Sequence, residues 1–217
     1  MKMANLKTLA STRYILSYLG FLCTLVVYFC RVNLSIAIVA MTESKNDTIL
    51  INKTESTADF IWSTTEKTNL LGSYFYGYVC TQILGAWLSS KYGFKWILFT
   101  TTLTTSIITI VTPFLADLGY GWIFASRILL GAFHGVTFPV LQGVWSIWGP
   151  PLERSLLIAI YVAGNSVGTC LIFPLGGFLA GSNWGWRSIF YITGGCGVVW
   201  CVLWVFLAFD SPKKHPR

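Results

Sequence analysis

Two arginines and one histidine lie inside long apolar stretches of this sequence. Arg31 interrupts the run from 24 to 41, and Arg127 and His134 lie in the run from 120 to 146. A charged side chain in such a stretch is costly in a membrane unless it faces a partner, a ligand or water. The planar guanidinium binds carboxylate or phosphate through two parallel hydrogen bonds and stays charged at physiological pH. The two arginines therefore predict a binding site for an anion.

The depths of the two arginines support one shared site. Counting about 1.5 Å per residue puts Arg31 about 14 Å and Arg127 about 10 Å from the same membrane face. No acidic residue falls deep in an apolar stretch to pair with either of them. The alternative is that each arginine extends outward to the membrane surface or bonds to backbone carbonyls of a neighbouring helix.

Three further polar residues are candidates for coupling or for a cavity wall. His134 follows Arg127 by seven residues, which places it on the same helical face about 10 Å deeper. Histidine can carry a coupling proton because it titrates near neutral pH, but a buried histidine can also serve only as a hydrogen-bonding group. Asn33 and Asn165 are the other candidates.

Composition predicts the elements that position these residues. Hydrophobic residues make up 54% of the chain and charged residues 11%, against about 25% charged residues in soluble domains. We therefore predict an all-α membrane protein, whose six transmembrane helices form two inverted three-helix repeats. The predicted spans are 14–40, 68–89, 96–116, 120–146, 156–180 and 188–209. Residues 1–13 are the predicted cytoplasmic N-terminus, 14–209 the membrane domain and 210–217 the start of a cytoplasmic linker.

The distribution of lysine and arginine orients the chain. Nine of them fall on one side of the predicted spans and four on the other, which predicts that both termini are cytoplasmic. The two sets are Lys2, Lys7, Arg13, Lys91, Lys95, Arg154, Lys213, Lys214 and Arg217 inside, and Lys45, Lys53, Lys67 and Arg187 outside. The polar loop 41–67 is then external, and its N-x-[ST] sequences predict glycosylation at Asn46 and Asn52.

Two short basic loops connect spans on the cytoplasmic side, 89–95 and 148–155. Glycine and proline explain them as simple turns. The alternative is that Lys91, Lys95, Glu153 and Arg154 form ion pairs that latch this side in one conformation.

Several function classes are disfavoured. The net charge of +7 comes from cations that separate the spans and form no continuous basic face, so we expect no nucleic-acid partner. The six cysteines all fall in apolar spans, without a C-x-x-C pair or a histidine cluster, so we expect no metal site. No nucleophile is paired with a base and no phosphate-binding loop is present, so we expect neither an enzyme nor a cofactor. The expected partners are the lipid bilayer and a small anionic substrate.

Five segments carry a resemblance to a known family. The segments are "RVNLSIAI" (31–38), "LGSYFYGYVCTQILG" (71–85), "RILLGAFHGVTFP" (127–139), "WGPPLERS" (148–155) and "DSPKKHP" (210–216). In this order they resemble the sialin and sodium-phosphate cotransporter family of anion:cation symporters, part of the major facilitator superfamily. The resemblance implies the N-terminal half of a twelve-helix fold that works by alternating access. It also implies that Arg31 and Arg127 bind the anion, of the sialic acid, acidic amino acid, phosphate or urate class.

The resemblance further implies coupling to H+, to Na+ or to the membrane potential, in a plasma membrane or a lysosomal or vesicular membrane. Two departures qualify it. Sialin-like members carry glutamates three and seven residues after the second arginine, where this chain has Leu130 and His134, which favours sodium, potential or histidine-mediated coupling. The chain also ends after the sixth span, so we expect a missing six-helix C-terminal half. The alternative is a truncated, non-transporting form that regulates a full-length relative.

Overall fold

A computed structural model describes residues 2–42, 59–182 and 184–208. These residues form six helices and no strand, which confirms the predicted all-α fold. The helices are α1 (Lys2–Thr42), α2 (Thr64–Tyr92), α3 (Phe94–Leu118), α4 (Tyr120–Trp148), α5 (Arg154–Ala180) and α6 (Arg187–Leu207). The predicted glycosylation sites Asn46 and Asn52 and the predicted linker 210–217 lie outside the described residues.

Five of the six helices are long and apolar enough to cross a membrane. They contribute the segments Arg13–Thr42, Phe94–Leu118, Tyr120–Ser146, Arg154–Ala180 and Arg187–Leu207. The exception is α2, which has 29 residues and, at about 43 Å, is also long enough. Its polar first turns and its Ser, Thr, Tyr and Gln residues lower its hydropathy. Its polar residues do not share one buried face, since Ser73 and Tyr74 are buried whereas Gln82 is exposed.

The most extensive helix contacts are between α2 and α4 and between α1 and α5, and α3 packs against both α6 and α4. Glycines allow the first pair to approach closely. A Cβ atom at Gly131 would collide with the carbonyl oxygen of Tyr74, and one at Gly135 would collide with that of Tyr78. The G-x-x-x-G spacing on α4 thus brings the backbones of α2 and α4 into direct contact.

A second glycine pair has the same function between α5 and α1. Cβ atoms at Gly164 and Gly168 would meet the carbonyl oxygens of Phe21 and Leu25. Gly177 forms the same spacing with Gly181, but among the described residues a Cβ atom at Gly177 would meet nothing within 4 Å beyond its chain neighbours and its own helix backbone. Only two of the three G-x-x-x-G spacings in α4 and α5 therefore bring helices together.

Two apolar clusters divide the interior of the bundle. The cluster towards the predicted cytoplasmic end takes α1 residues up to Cys30 and α4 residues from Val136 onward. The other cluster takes α1 residues from Leu34 onward and α4 residues up to Ile123. Both arginines and His134 therefore lie in a layer between the two clusters.

A capping box starts α2. The backbone N–H of Glu66 donates to Ser63 Oγ at 3.2 Å, and the backbone N–H of Ser63 donates to Glu66 Oε2 at 2.8 Å. Two hydrogen bonds hold the pKa of the Glu66 carboxyl below its ordinary value. The one from the Ser63 backbone N–H has the larger effect, and the one from the Ser63 hydroxyl adds to it.

The lowered pKa of Glu66 predicts how the start of α2 responds to acid. A group whose pKa falls on folding stabilises the folded state above its unfolded pKa, and this contribution disappears as the pH drops through the folded pKa. We expect Glu66→Gln to speed amide exchange in the first turn a few-fold at neutral pH. The difference from the wild type should vanish in strong acid, after correction for intrinsic exchange rates. A difference that persists there would contradict an ionic capping box.

Candidate functional site

One cavity brings the two arginines together. It has a volume of about 170 Å³ and lies between α1, α2 and α4. Arg31 and Ser35 of α1, Tyr74 and Phe75 of α2, and Arg127 of α4 line it, with apolar residues between them. None of the described residues that line it is acidic, so the cavity offers two guanidinium groups and no competing carboxylate from this part of the chain.

Arg31 is the more accessible of the two. Its guanidinium carbon lies 5.2 Å from the ring centres of Tyr28 and Tyr74, 5.0 Å from that of Phe75 and 6.0 Å from that of Tyr78. These distances are within range of cation–π attraction. Within the described part of the chain, no carbonyl or carboxylate accepts a hydrogen bond from Arg31. The rings therefore hold the charge while its N–H donors remain available to a ligand.

Arg127 is buried and bound by the protein itself. Its side chain is 1% exposed. Nη1 and Nη2 donate to Asn33 Oδ1 at 3.2 and 3.3 Å, and Nη1 also donates to the Cys30 carbonyl at 3.3 Å. Its Nε has no hydrogen-bond partner among the residues that the structure describes. The backbone-bonded alternative thus describes Arg127 in part, while this residue still lines the cavity.

Asn33 fixes Arg127 rather than lining the cavity. Two residues along a helix turn the side chain by about 200°, so Asn33 faces away from Arg31. Its Nδ2 donates to Thr193 Oγ1 at 3.1 Å, and Thr193 Oγ1 donates to the Ile189 carbonyl at 2.7 Å. A continuous set of hydrogen bonds therefore joins α4, α1 and α6 at the level of the cavity.

The acidic side chains that the structure describes are all engaged elsewhere. The distances from their carboxylate oxygens to the partner atoms run from 2.7 to 3.9 Å. The pairs are Asp59 with Trp186, Glu66 with Ser63, Asp117 with Arg187, and Glu153 with Arg13. The described acids thus leave both arginines without an ion-pair partner, as the sequence predicts.

His134 contacts the cavity wall without lining the cavity. It is buried, and its Nδ1 lies 3.3 Å from the hydroxyl of Tyr74. Asn165 lies on α5 and is not among the residues that line this cavity. Its Oδ1 is buried without a hydrogen-bond partner. Of the three additional candidates, His134 touches the lining residue Tyr74 and Asn33 touches the lining residue Arg127, so both reach the wall indirectly.

The four residues of the predicted cytoplasmic latch make separate contacts. Glu153, the acid among them, forms its ion pair with Arg13, and the predicted latch stays a prediction. The contacts are Lys91 over Trp87 at 5.1 Å, Lys95 to the Val205 carbonyl at 2.8 Å, Arg154 to the Gly149 carbonyl at 3.2 Å, and Glu153 to Arg13 at 3.9 Å.

Sequence reasoning missed the aromatic surroundings of Arg31. A signal was present, because Tyr74 and Tyr78 are four residues apart and share one face of α2. Tyr28 likewise lies three residues before Arg31 on α1. Aromatic residues at these spacings beside a membrane arginine predict a cation–π cluster.

Comparisons with known proteins agree with this architecture. The profile of the Major Facilitator Superfamily matches residues 20–217. Human sialin is 40% identical over an alignment of 223 positions, which covers 95% of this chain and 45% of sialin. Vesicular glutamate transporter 3 of Danio rerio is 38% identical over 206 residues, covering 94% of this chain and 34% of that protein. The family resemblance predicted from the five segments is thereby confirmed.

Solved structures support the fold alone, since their sequence identity is low. The xylose transporter XylE from E. coli, in an inward-open conformation, superposes with a TM-score of 0.73 at 16% identity, over 93% of this chain and 49% of XylE. A bacterial homologue of the human lysosomal transporter Spinster gives a TM-score of 0.69 at 18% identity, over 95% of this chain and 45% of that one. The chain spans about half the length of these relatives or less. It is a multi-pass membrane protein, and it belongs to the Major Facilitator Superfamily.

Proposed function

We propose that this protein takes part in the transport of small anions across a membrane by alternating access, with Arg31 and Arg127 binding the anion. One observation carries the proposal. Two guanidinium groups line a single cavity, and no acidic side chain is among the described residues of its wall. A carboxylate or phosphate would supply the missing negative charge.

The two arginines have different roles in this proposal. Arg31 is held by aromatic rings and has free N–H donors, so it makes the main contact with the anion. Arg127 is fixed by Asn33 and contributes its positive charge and the unpaired Nε donor. A charge that is already fixed in place costs little reorganisation when the ligand binds.

The moving partner in this proposal is a second six-helix half. This chain spans 45% of sialin, and α2 presents large apolar side chains outward. Val79, Ile83 and Trp87 are 66%, 83% and 58% exposed. We propose that such a face packs partly against the other half and partly against lipid, and that the two halves rock about the cavity.

The finer assignments are also proposals. Vesicular glutamate transporters are named for an acidic amino acid, and we propose a substrate of the sialic acid, acidic amino acid, phosphate or urate class. We propose coupling to H+, to Na+ or to the membrane potential, in a plasma membrane or a lysosomal or vesicular membrane. Anion uptake by proteoliposomes is measured with a pH gradient, a Na+ gradient or a membrane potential imposed separately. The gradient that drives uptake identifies the coupling.

Replacing Arg31 tests the proposed site. Arg31→Ala in the full-length protein should raise the KM for anion uptake by roughly tenfold or more, because a hydrogen bond to a charged group contributes about 1.5–3 kcal/mol. Initial uptake rates of labelled anions at several concentrations provide the measurement.

The matched control is Arg187→Ala. Arg187 also carries a guanidinium, but it is exposed and forms an ion pair with Asp117 at 3.0 Å. Exposed pairs contribute little, so uptake should remain near the wild-type value. If Arg31→Ala kept the wild-type KM and kcat, the assignment of Arg31 to the anion site would be wrong.

A further inference from the structure

We propose that Tyr74 positions Arg31 for the anion, and that His134 acts on the site only by holding the hydroxyl of Tyr74. This inference rests on the proposed anion site. It assigns His134 a positioning role in place of proton transfer. The contacts of Tyr74 on both sides carry the argument.

Tyr74 touches both the arginine and the histidine. On one side its ring centre lies 5.2 Å from the guanidinium carbon of Arg31. On the other side its hydroxyl lies 3.3 Å from His134 Nδ1. Its side chain is 4% exposed and lines the cavity, whereas His134 does not line it. Tyr74 is therefore the connection from His134 to the site.

The backbone geometry keeps this connection rigid. Tyr74 is on α2 and His134 on α4, and the two helices meet where Gly131 packs on the Tyr74 carbonyl and Gly135 on the Tyr78 carbonyl. His134 lies between these glycines in sequence. The histidine and the tyrosine thus face each other across the closest contact of the two helices, which fixes their separation.

The hydrogen bond does not depend on one protonation state of the histidine. Nδ1 accepts the Tyr74 hydroxyl proton in one neutral tautomer, and Nδ1–H donates to the hydroxyl oxygen in the other. The charged side chains whose field reaches His134 are both cations, Arg31 of α1 and Arg127 of α4, and Tyr74 faces it from α2. The positioning role therefore requires no proton to enter or leave.

Fixing the hydroxyl also fixes the ring. Tyr74 stacks on Tyr78 with ring centres 5.8 Å apart and meets Phe75 edge-on at 5.5 Å. All three rings lie around the Arg31 guanidinium. Without the bond to His134 the Tyr74 ring loses the contact that fixes its hydroxyl end, and a shift of this ring changes both the position of Arg31 and the space for the anion.

Four variants of the full-length protein test this inference by uptake of a labelled anion. Tyr74→Phe and His134→Leu should each raise the KM about fivefold with little change in kcat, since a neutral hydrogen bond contributes about 0.5–1.5 kcal/mol. The double variant should be no worse than either single variant, because both remove one shared interaction. His134→Asn, whose amide replaces Nδ1 without a titratable ring, should restore the KM to within about threefold of wild type.

The pH profile of uptake separates positioning from proton transfer. Positioning predicts that His134→Asn keeps the wild-type profile and the wild-type response to a pH gradient. A lost response in His134→Asn, or additive effects in the double variant, would overturn the inference. Purified variants are compared by thermal midpoint, so that a folding defect is recognised.

The same assay distinguishes failure of this inference from failure of the proposed function. If Arg31→Ala loses uptake while Tyr74→Phe and His134→Leu keep the wild-type KM, only the positioning role is wrong. If Arg31→Ala also keeps the wild-type KM, the anion site itself is wrong.

Discussion

Replacing Arg127 with leucine should lower anion uptake by roughly a hundredfold or more. The change removes a buried charge from the cavity wall and leaves Asn33 Oδ1 without the donors that hold it. A hydrogen bond to a charged group contributes about 1.5–3 kcal/mol, and an acceptor left buried and unpaired costs a similar amount. Initial uptake rates of the full-length protein, with the thermal midpoint of the purified variant, measure both effects.

Two further variants separate charge from geometry. Arg127→Lys keeps a positive charge, but its single ammonium cannot reproduce the planar fork that reaches both Asn33 Oδ1 and the Cys30 carbonyl, so we expect an intermediate loss. Arg187→Leu removes an exposed arginine and should leave uptake near wild type. Wild-type kinetics in Arg127→Leu would exclude Arg127 from the anion site.

The approach of Arg31 and Arg127 to one cavity follows from the sequence, because helix rise converts residue number into depth. Two helices of opposite direction with a charge at matching depth bring those charges to one level. The depth argument needs only the ends of the apolar runs. The six-helix fold rests on equally local signals, since each run is long enough to span a membrane.

The difference between the two arginines does not follow from the sequence. Whether Arg31 meets aromatic rings and Arg127 meets an amide depends on how α1, α2, α4 and α6 are rotated about their axes. Side-chain rotation is set by packing between helices, which residue spacing does not specify. For the same reason Asn33 is expected at the cavity wall from its polarity, whereas it faces Arg127 and Thr193.

The sequence also does not show which of its glycine pairs pack against another helix. The pairs on α4 and α5 that pack against other helices have the same spacing as Gly177 and its partner, which do not. Spacing specifies only that two small residues share a face. Which face meets another helix follows from the whole bundle, and that difference leads to the prediction with the largest structural effect.

Gly131→Ala should destabilise the bundle by about 3 kcal/mol or more. A Cβ atom at this position collides with the carbonyl oxygen of Tyr74, and a backbone oxygen cannot rotate away as a side chain does. Overpacking of a filled interior costs about 1–3 kcal/mol, and here α2 and α4 must separate to relieve it. We expect a lower thermal midpoint of the purified full-length protein and a smaller yield of folded protein.

Gly177→Ala is the matched control, because the new methyl group on α5 meets no other helix of the described chain within 4 Å. Alanine is favoured over glycine in a helix by about 1 kcal/mol, so this variant should match or exceed the wild-type midpoint. Opposite shifts in the two variants locate the effect in the contact between α2 and α4 rather than in helix propensity. Equal midpoints would mean that these helices can separate at no cost. The fixed distance between Tyr74 and His134 would then lose its structural basis.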